Sequence, residues 1–327
     1  MSRVEGARAR VRHPARVHRA FGLAVACEWE LAGLPEPQAS TGRPDLELRL
    51  ASSGDVARAW SGPRPDPAMV ETQQDGLPYR TERGAAGDHR MTYGDRASFH
   101  LSADGRTLLC APADVEAPGW RRVLLDSVLA TASLLHGFQA LHAGAVLSPA
   151  GAVAFMGRTG GGKTTLVTEL VRRGLPLVCD DILALSRDTR GRVIAHPGPP
   201  VMNLPTGAPA PPGRALAVIG AETWLAVKRV AAGPAAVAAV CLLDRRPGAT
   251  LAVVPGPASP LDLLAHGLRS GSAPERRQAR FELLADLAAQ ADAYVLEADV
   301  HTPAAELADA LEAGIPALAR QHAGAAG

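Results

Sequence analysis

The stretch Gly157-Arg158-Thr159-Gly160-Gly161-Gly162-Lys163-Thr164 meets the phosphate-binding pattern G-x-x-x-x-G-K-[ST] at every fixed position. Its setting constrains the fold more than the pattern does. Gly151-Ala152-Val153-Ala154-Phe155-Met156 reads as a buried strand. Lys163 to Arg173 reads as a helix with Leu166, Val167, Leu170 and Val171 on one side, stopped by Gly174. A strand, a glycine loop and a helix in that order let consecutive backbone N–H groups converge on phosphate oxygens at the positive end of the helix. The loop residues Gly157 to Thr164, with Thr165 next on the helix, are therefore the expected polyphosphate site. Lys163 supplies a point charge for the β and γ phosphates, and the Thr164 hydroxyl a ligand for Mg²⁺.

At 327 residues the chain has room for two domains, each with enough apolar content for a core. Lys and Arg number 34 against 33 Asp and Glu, so no global basic field draws the protein to nucleic acid. Residues 1–19 break the balance: Arg3, Arg8, Arg10, Arg12, Arg16 and Arg19 stand there with His13 and His18 and few apolar residues, which predicts a solvated basic tail. Cys27, Cys110, Cys179 and Cys241 are scattered, which favours a reducing, cytoplasmic setting over a zinc site or a disulfide framework. The most apolar stretch, Val123 to Met156, is interrupted by Asp126, His136, Gln139, His142 and Pro149 and is not expected to enter a membrane.

Along the chain, residues 20–120 read as a β-rich N-terminal domain, with strand-like pieces at Phe21 to Cys27, Leu46 to Leu50, Met91 to Tyr93, Ala97 to Leu101 and Thr107 to Leu109. Asp104-Gly105 signals a hairpin between the last two. Ser61 to Pro67 reads as a loop. Leu124, Leu125, Val128, Leu129, Leu134 and Leu135 give residues 121–137 the apolar face of a linking helix. From 138 to 327 the pattern is α/β. Strands are expected at Ala143 to Leu147, Leu177 to Leu185, Val193 to Ala195, Ala238 to Leu243 and Ala293 to Leu296. Helices are expected at Pro260 to Leu268, Pro274 to Ala291 and Pro303 to Arg320. Pro197 to Pro212 reads as a long surface loop, either a substrate lid or a connector.

Asp180-Asp181 closes the apolar run from Leu175 to Cys179, seventeen positions after Lys163. One helix and one turn therefore separate the lysine from two carboxylates. Neighbouring side chains on a strand alternate faces, so the two acids have different jobs: one holds Mg²⁺, the other accepts a proton from an incoming hydroxyl. His142 lies fifteen positions before Gly157. A hairpin turning at Ser148-Pro149-Ala150 sets it beside the mouth of the loop, where it can contact a phosphate or hydrogen-bond an aspartate.

Together these residues resemble the HPr serine kinase/phosphorylase family. Its kinase domain runs from a histidine-led strand through a GxSGxGKS-type loop and a helix ending in Arg-Gly to a strand ending in Ala-Asp-Asp. The counterparts are His142, Gly157 to Thr164, Arg173-Gly174 and Cys179-Asp180-Asp181, and the likeness covers Leu141 to Leu185. The resemblance implies a P-loop kinase domain of the phosphoenolpyruvate-carboxykinase-like type. It also implies ATP and Mg²⁺ held by Lys163 and Thr164, Asp180 as the base toward a seryl hydroxyl, Asp181 as the metal partner, and His142 as support for the aspartate. The chain has His196 to Leu204 where the bifunctional enzymes carry Glu-Ile-Arg-Gly-Leu-Gly, so their phosphorylase chemistry is not carried over. Phe21-Gly22-Leu23 with Leu31 to Pro35 is similar to the N-terminal region of stand-alone HPr-kinase-like proteins of bacterial gene clusters, including those that phosphorylate ribosomally made peptides.

Lys228-Arg229 and Arg245-Arg246 are further candidates for cations at the transferring phosphoryl group, and Arg276, Arg277 and Arg280 form a helical basic stripe. The leading expectation is an ATP-dependent kinase acting on a serine hydroxyl of a peptide or small protein. A kinase for a small metabolite, and a nucleotide-dependent regulatory module without phosphotransfer, are the alternatives. The donor (ATP, GTP or pyrophosphate), the acceptor and any homo-oligomeric state stay open.

Overall fold

In a computed structural model the residues described are 15–35, 38–40, 42–64, 70–74, 76–256, 258–268 and 274–319. Most of the expected basic tail, residues 1–14, lies outside them, as do residues 65–67 of the expected loop. Residues 15–19, assigned to that tail from their charge, instead open the first strand.

Nine strands make one sheet: β1 (Ala15–Ala20), β2 (Leu23–Cys27), β3 (Gln38–Ser40), β4 (Leu46–Leu50), β5 (Val70–Gln74), β6 (Leu77–Arg83), β7 (His89–Tyr93), β8 (Ala97–Leu101) and β9 (Thr107–Pro112), in spatial order 3-1-2-4-9-8-7-6-5. Phe21 and Gly22, with φ of 53° and 85°, form the two-residue turn between β1 and β2, a geometry matched to strand twist. Phe21 is thus a turn residue and not the start of a strand, and its ring is buried. The short helix α1 (Ser53–Ala59) starts at a Ser52/Asp55 capping box. A continuous helical segment then covers the sheet: α2 (Pro118–Val123), a π-helical turn (Leu124–Val128) and α3 (Leu129–Leu135). Trp120, Val123, Leu124, Leu125 and Val128 are at most 1% exposed and share a core with Leu46, Leu48, Met91 and Phe99. That core also takes in Ala140, Ile182, Ala184 and Trp224.

The second sheet consists of β10 (Gln139–Ser148), β11 (Gly151–Met156), β12 (Leu177–Cys179), β13 (Ile182–Arg187), β14 (Val193–His196), β18 (Ala235–Arg245), β19 (Ala252–Pro255) and β20 (Asp292–Ala298). β11 pairs antiparallel with β10 and parallel with β18, which pairs parallel with β20. The helices α4 (Lys163–Arg172) and α7 (Ala304–Gly314) bury Leu166, Leu170, Leu307 and Leu311 in one core. Leu263 of α5 (Pro260–Ala265) and Leu283, Leu284 and Leu287 of α6 (Pro274–Gln290) lie in another, with Leu183 and Val240. The molecule is thus mixed α/β with several sheets, and among its described residues no helix is long and apolar enough to cross a membrane.

The expected surface loop at 197–212 contains β15 (Val201–Pro205), which pairs with β17 (Glu222–Val227), itself paired with β16 (Gly213–Ile219). Met202 and Leu204 alternate inward along β15 and are buried. A two-residue alternation flanked by proline is too short a signal to outweigh the loop-like composition around it.

Candidate active site

β11 ends at Met156, and α4 begins at Lys163, so the glycine loop leaves the sheet and enters the helix directly. Gly162 has φ +86°, and a Cβ there would stand 2.7 Å from Nη1 of Arg245. The Arg245 guanidinium donates in turn to the backbone oxygens of Val300 at 2.6 Å and Thr302 at 2.9 Å, which fixes a cation against the loop. Lys163 is 5% exposed, and its Nζ donates to the carbonyls of Gly157 at 3.1 Å and Arg158 at 3.3 Å. Burial lowers the lysine pKa, and the charges of Asp181 and Asp180 oppose that shift.

The two acids sit in a break between strands. β12 pairs with β10 at Ala145 and Val146, β13 pairs with it at Gln139 to His142, and Ala143 N donates to Asp181 O at 2.9 Å in the gap. The backbones approach closely there. A Cβ on Gly144 would lie 2.7 Å from Asp180 O and 2.8 Å from Val167 Cγ2, so glycine is needed at 144. The break sends the two carboxylates to different surroundings. Asp180 is 8% exposed, and its Oδ2 accepts the backbone N–H of Asn203 at 3.0 Å, while its Oδ1 is buried without a hydrogen-bond partner. Burial pushes the Asp180 pKa up to about 7. The Asn203 N–H opposes the rise, Asp181 adds to it, and the Thr164 hydroxyl, near Asp180 but not bonded to Oδ1, eases it. The Asp181 side chain is 38% exposed, with Oδ1 3.4 Å from His142 Nδ1.

The register of β10 and β11 sets Ala143 opposite Met156, which brings His142 to the end of β11 where the loop begins. His142 N donates to the His266 carbonyl at 2.7 Å. Burial lowers the His266 pKa, and the charges of Lys163 and His142 lower it further.

Other residues that escaped the sequence reading converge from outside the motif. A small chamber is lined by Phe21, Asp126, Asp180, Asp181, Asn203 and Trp224, among others. Asp126 comes from the π-helical turn, is partly buried, and lines the chamber. Burial raises its pKa to about 8, Asp181 and Asp180 push the same way, and Arg122 opposes them. Arg122 donates to Glu222 Oε2 at 2.9 Å and Asn203 Oδ1 at 3.3 Å. The available signal for Asp126 was a lone acid inside an otherwise apolar helical face, which reads equally well as an interruption.

The basic candidates separate. Arg245 and Arg246 line a cleft with Arg158, Thr159, Gly160 and Gly161. Arg229 donates to Gly174 O at 2.8 Å, beyond the C-terminal end of α4 and therefore at the opposite end of that helix from the loop. Arg276 and Arg280 reach Leu134 O and Gln139 Oε1, which ties α6 to the segments before the site. Among the described residues no three His, Cys, Asp or Glu groups stand close enough to hold one metal ion by themselves.

No protein-family model matches the chain, and no curated protein does. Among solved structures it is similar to the Hpr(Ser) kinase/phosphatase from Coxiella burnetii, at 19% identity over 39% of this chain and 91% of that one, with a TM-score of 0.26. A likeness of that size establishes neither a shared fold nor a shared activity.

Proposed function

We propose that the chain is an ATP-dependent kinase with a P-loop, transferring a phosphoryl group to the serine hydroxyl of a peptide or small protein. The reading rests on one observation: the glycine loop with its buried lysine and the carboxylate pair meet at one end of β11, with one oxygen of Asp180 held by a backbone N–H and the other buried without a partner.

The fit of nucleotide and metal can be judged from the residues. Positive-φ glycines at 160 and 162 and the helix start at Lys163 make a cradle for an anion, and the half-exposed Asp181 with the Thr164 hydroxyl offers hard oxygen ligands to a magnesium ion. The acid pair alone is too few ligands for a structural metal, which suits an ion that also binds substrate oxygens. Magnesium, when bound, neutralises charge on the transferring phosphoryl group. Gly157 to Thr165 then hold the phosphates through backbone N–H groups, and Lys163 and Arg245 add fixed positive charge. Asp180 Oδ1, free of partners and on an acid with pKa raised toward neutrality, accepts the proton of the incoming hydroxyl. His142 holds the Asp181 carboxylate in place. On this reading the nine-stranded sheet is a domain of its own that presents the acceptor, with residues 138–327 as the catalytic domain.

The test incubates the full chain with ATP labelled at the γ-phosphorus, Mg²⁺ and a library of serine-containing peptides, then locates the label by mass spectrometry. Label on a seryl oxygen supports the proposal. Nucleotide binding with no transfer to any hydroxyl, water included, would overturn it in favour of a regulatory module.

A further inference from the structure

The helical segment over the N-terminal sheet brings a third carboxylate to the acid pair. We propose that Asp126 is a positioning residue of the site: its carboxylate helps hold the divalent cation in the chamber beside Asp180 and Asp181 through intervening water. The inference rests on the kinase reading and deepens it, because it makes the N-terminal region part of the cation site.

Four observations carry it. Asp126, Asp180 and Asp181 line the same chamber. Asp126 sits on a π-helical turn, an irregularity that re-aims side chains in a helix and concentrates at functional sites. The turn is fixed in place, since its neighbours Leu124, Leu125 and Val128 are fully buried and Arg122, one turn earlier, is bonded to Asn203 and Glu222 across the chamber. Finally, Asp180 Oδ1 is a buried acceptor with no protein donor, on a side chain more than nine-tenths buried. A lone carboxylate in an apolar helix is costly unless something compensates it, and Arg122 is also engaged by Glu222. Three acids around one chamber with an unsatisfied acceptor oxygen ask for a cation. Because no three of these groups can ligate one ion directly, Asp126 acts through water and by its field.

The experiment titrates Mn²⁺ into the full chain with ATP present and follows bound metal by electron paramagnetic resonance, for wild type, Asp126→Asn and Asp126→Glu. ATP affinity without metal is measured in parallel, and circular dichroism checks the fold. Asp126→Asn, which keeps the shape and removes the charge, is expected to weaken Mn²⁺ binding about 3- to 10-fold and leave metal-free ATP affinity unchanged, with Asp126→Glu restoring most of the loss. Equal Mn²⁺ affinity in wild type and folded Asp126→Asn overturns the inference while leaving the kinase reading intact. Failure of wild type itself to bind ATP overturns the kinase reading first. Should Asp126→Asn not fold, Asp126→Ser is titrated in its place: Mn²⁺ binding weakened about 3- to 10-fold supports the role, and wild-type affinity in the folded variant overturns it.

Discussion

The backbone N–H of Asn203 donates to Oδ2 of Asp180 at 3.0 Å, so a strand of the small three-stranded sheet fixes one oxygen of a buried acid and leaves its other oxygen without a partner. Asn203 is itself held through its side chain by Arg122, which ties the acid to the helical segment and through it to the N-terminal core. A carboxylate supported on one oxygen is oriented for chemistry on the other.

Replacing Asp180 by Asn should abolish phosphotransfer while ATP binding without metal survives. It should also change stability with pH in a fixed direction. The folded Asp180 pKa, about 7, stands above the ordinary value, so between about pH 4 and pH 7 the folded protein holds more protons than the unfolded chain, and stability falls as pH rises. Asp126, raised to about 8, extends the fall. In metal-free protein, Asp180→Asn should flatten part of this slope and gain roughly 1–3 kcal/mol over wild type above pH 7. Thermal melts at pH 5, 6, 7 and 8 give the comparison, and parallel slopes for the two proteins would refute it.

Gly144→Ala forces a Cβ to within 2.7 Å of the Asp180 backbone oxygen and 2.8 Å of Val167. The expected cost is about 1–3 kcal/mol, together with loss of transfer because the acids shift. Denaturant unfolding and a transfer assay measure the two effects, and a variant as stable and active as wild type would show that the strand break tolerates a side chain.

His142→Asn removes the ring that stands 3.4 Å from the Asp181 carboxylate. Transfer should drop roughly 10- to 100-fold, the range typical of lost support for a metal-binding group, with little change in metal-free ATP affinity. Steady-state kinetics over a range of Mg²⁺ concentrations would detect it, and an unchanged rate at every concentration would remove His142 from the site.

Much of this site was legible in the sequence because its parts are local. A strand, glycine loop and helix announce one another within twenty-four residues from Gly151 to Gly174, and Asp180-Asp181 follow one short strand later. The hairpin of β10 and β11 followed from the turn at Ser148 to Ala150 and carried His142 with it. What stayed hidden is non-local. Asn203 reaches Asp180 from a strand disguised by Pro and Gly composition, Asp126 arrives from a helix whose irregular turn leaves no mark in hydrophobic periodicity, and His266 is set beside His142 by a backbone contact across 124 positions. Charge also misled at the N-terminus, where Arg16, His18 and Arg19 belong to a strand: their neighbours Val17 and Ala20 are buried.

Lys163→Met leaves the carbonyls of Gly157 and Arg158 without their ammonium donor and strips the loop of its central charge. Transfer should fall at least about 100-fold, as it does when a preorganised charge aimed at the reacting group is lost. Initial-rate measurements with labelled ATP test this, and a loss under threefold would mean that the lysine serves the loop's shape alone.

The most direct measurement is the calorimetric affinity for ATP with and without Mg²⁺, in wild type and in the double variant Asp180→Asn/Asp181→Asn. If loop and acids converge on one metal-bound triphosphate, Mg²⁺ strengthens ATP binding to wild type, and the double variant loses that increment while keeping its metal-free affinity. An equal response to Mg²⁺ in both proteins would contradict convergence and separate the acids from the nucleotide.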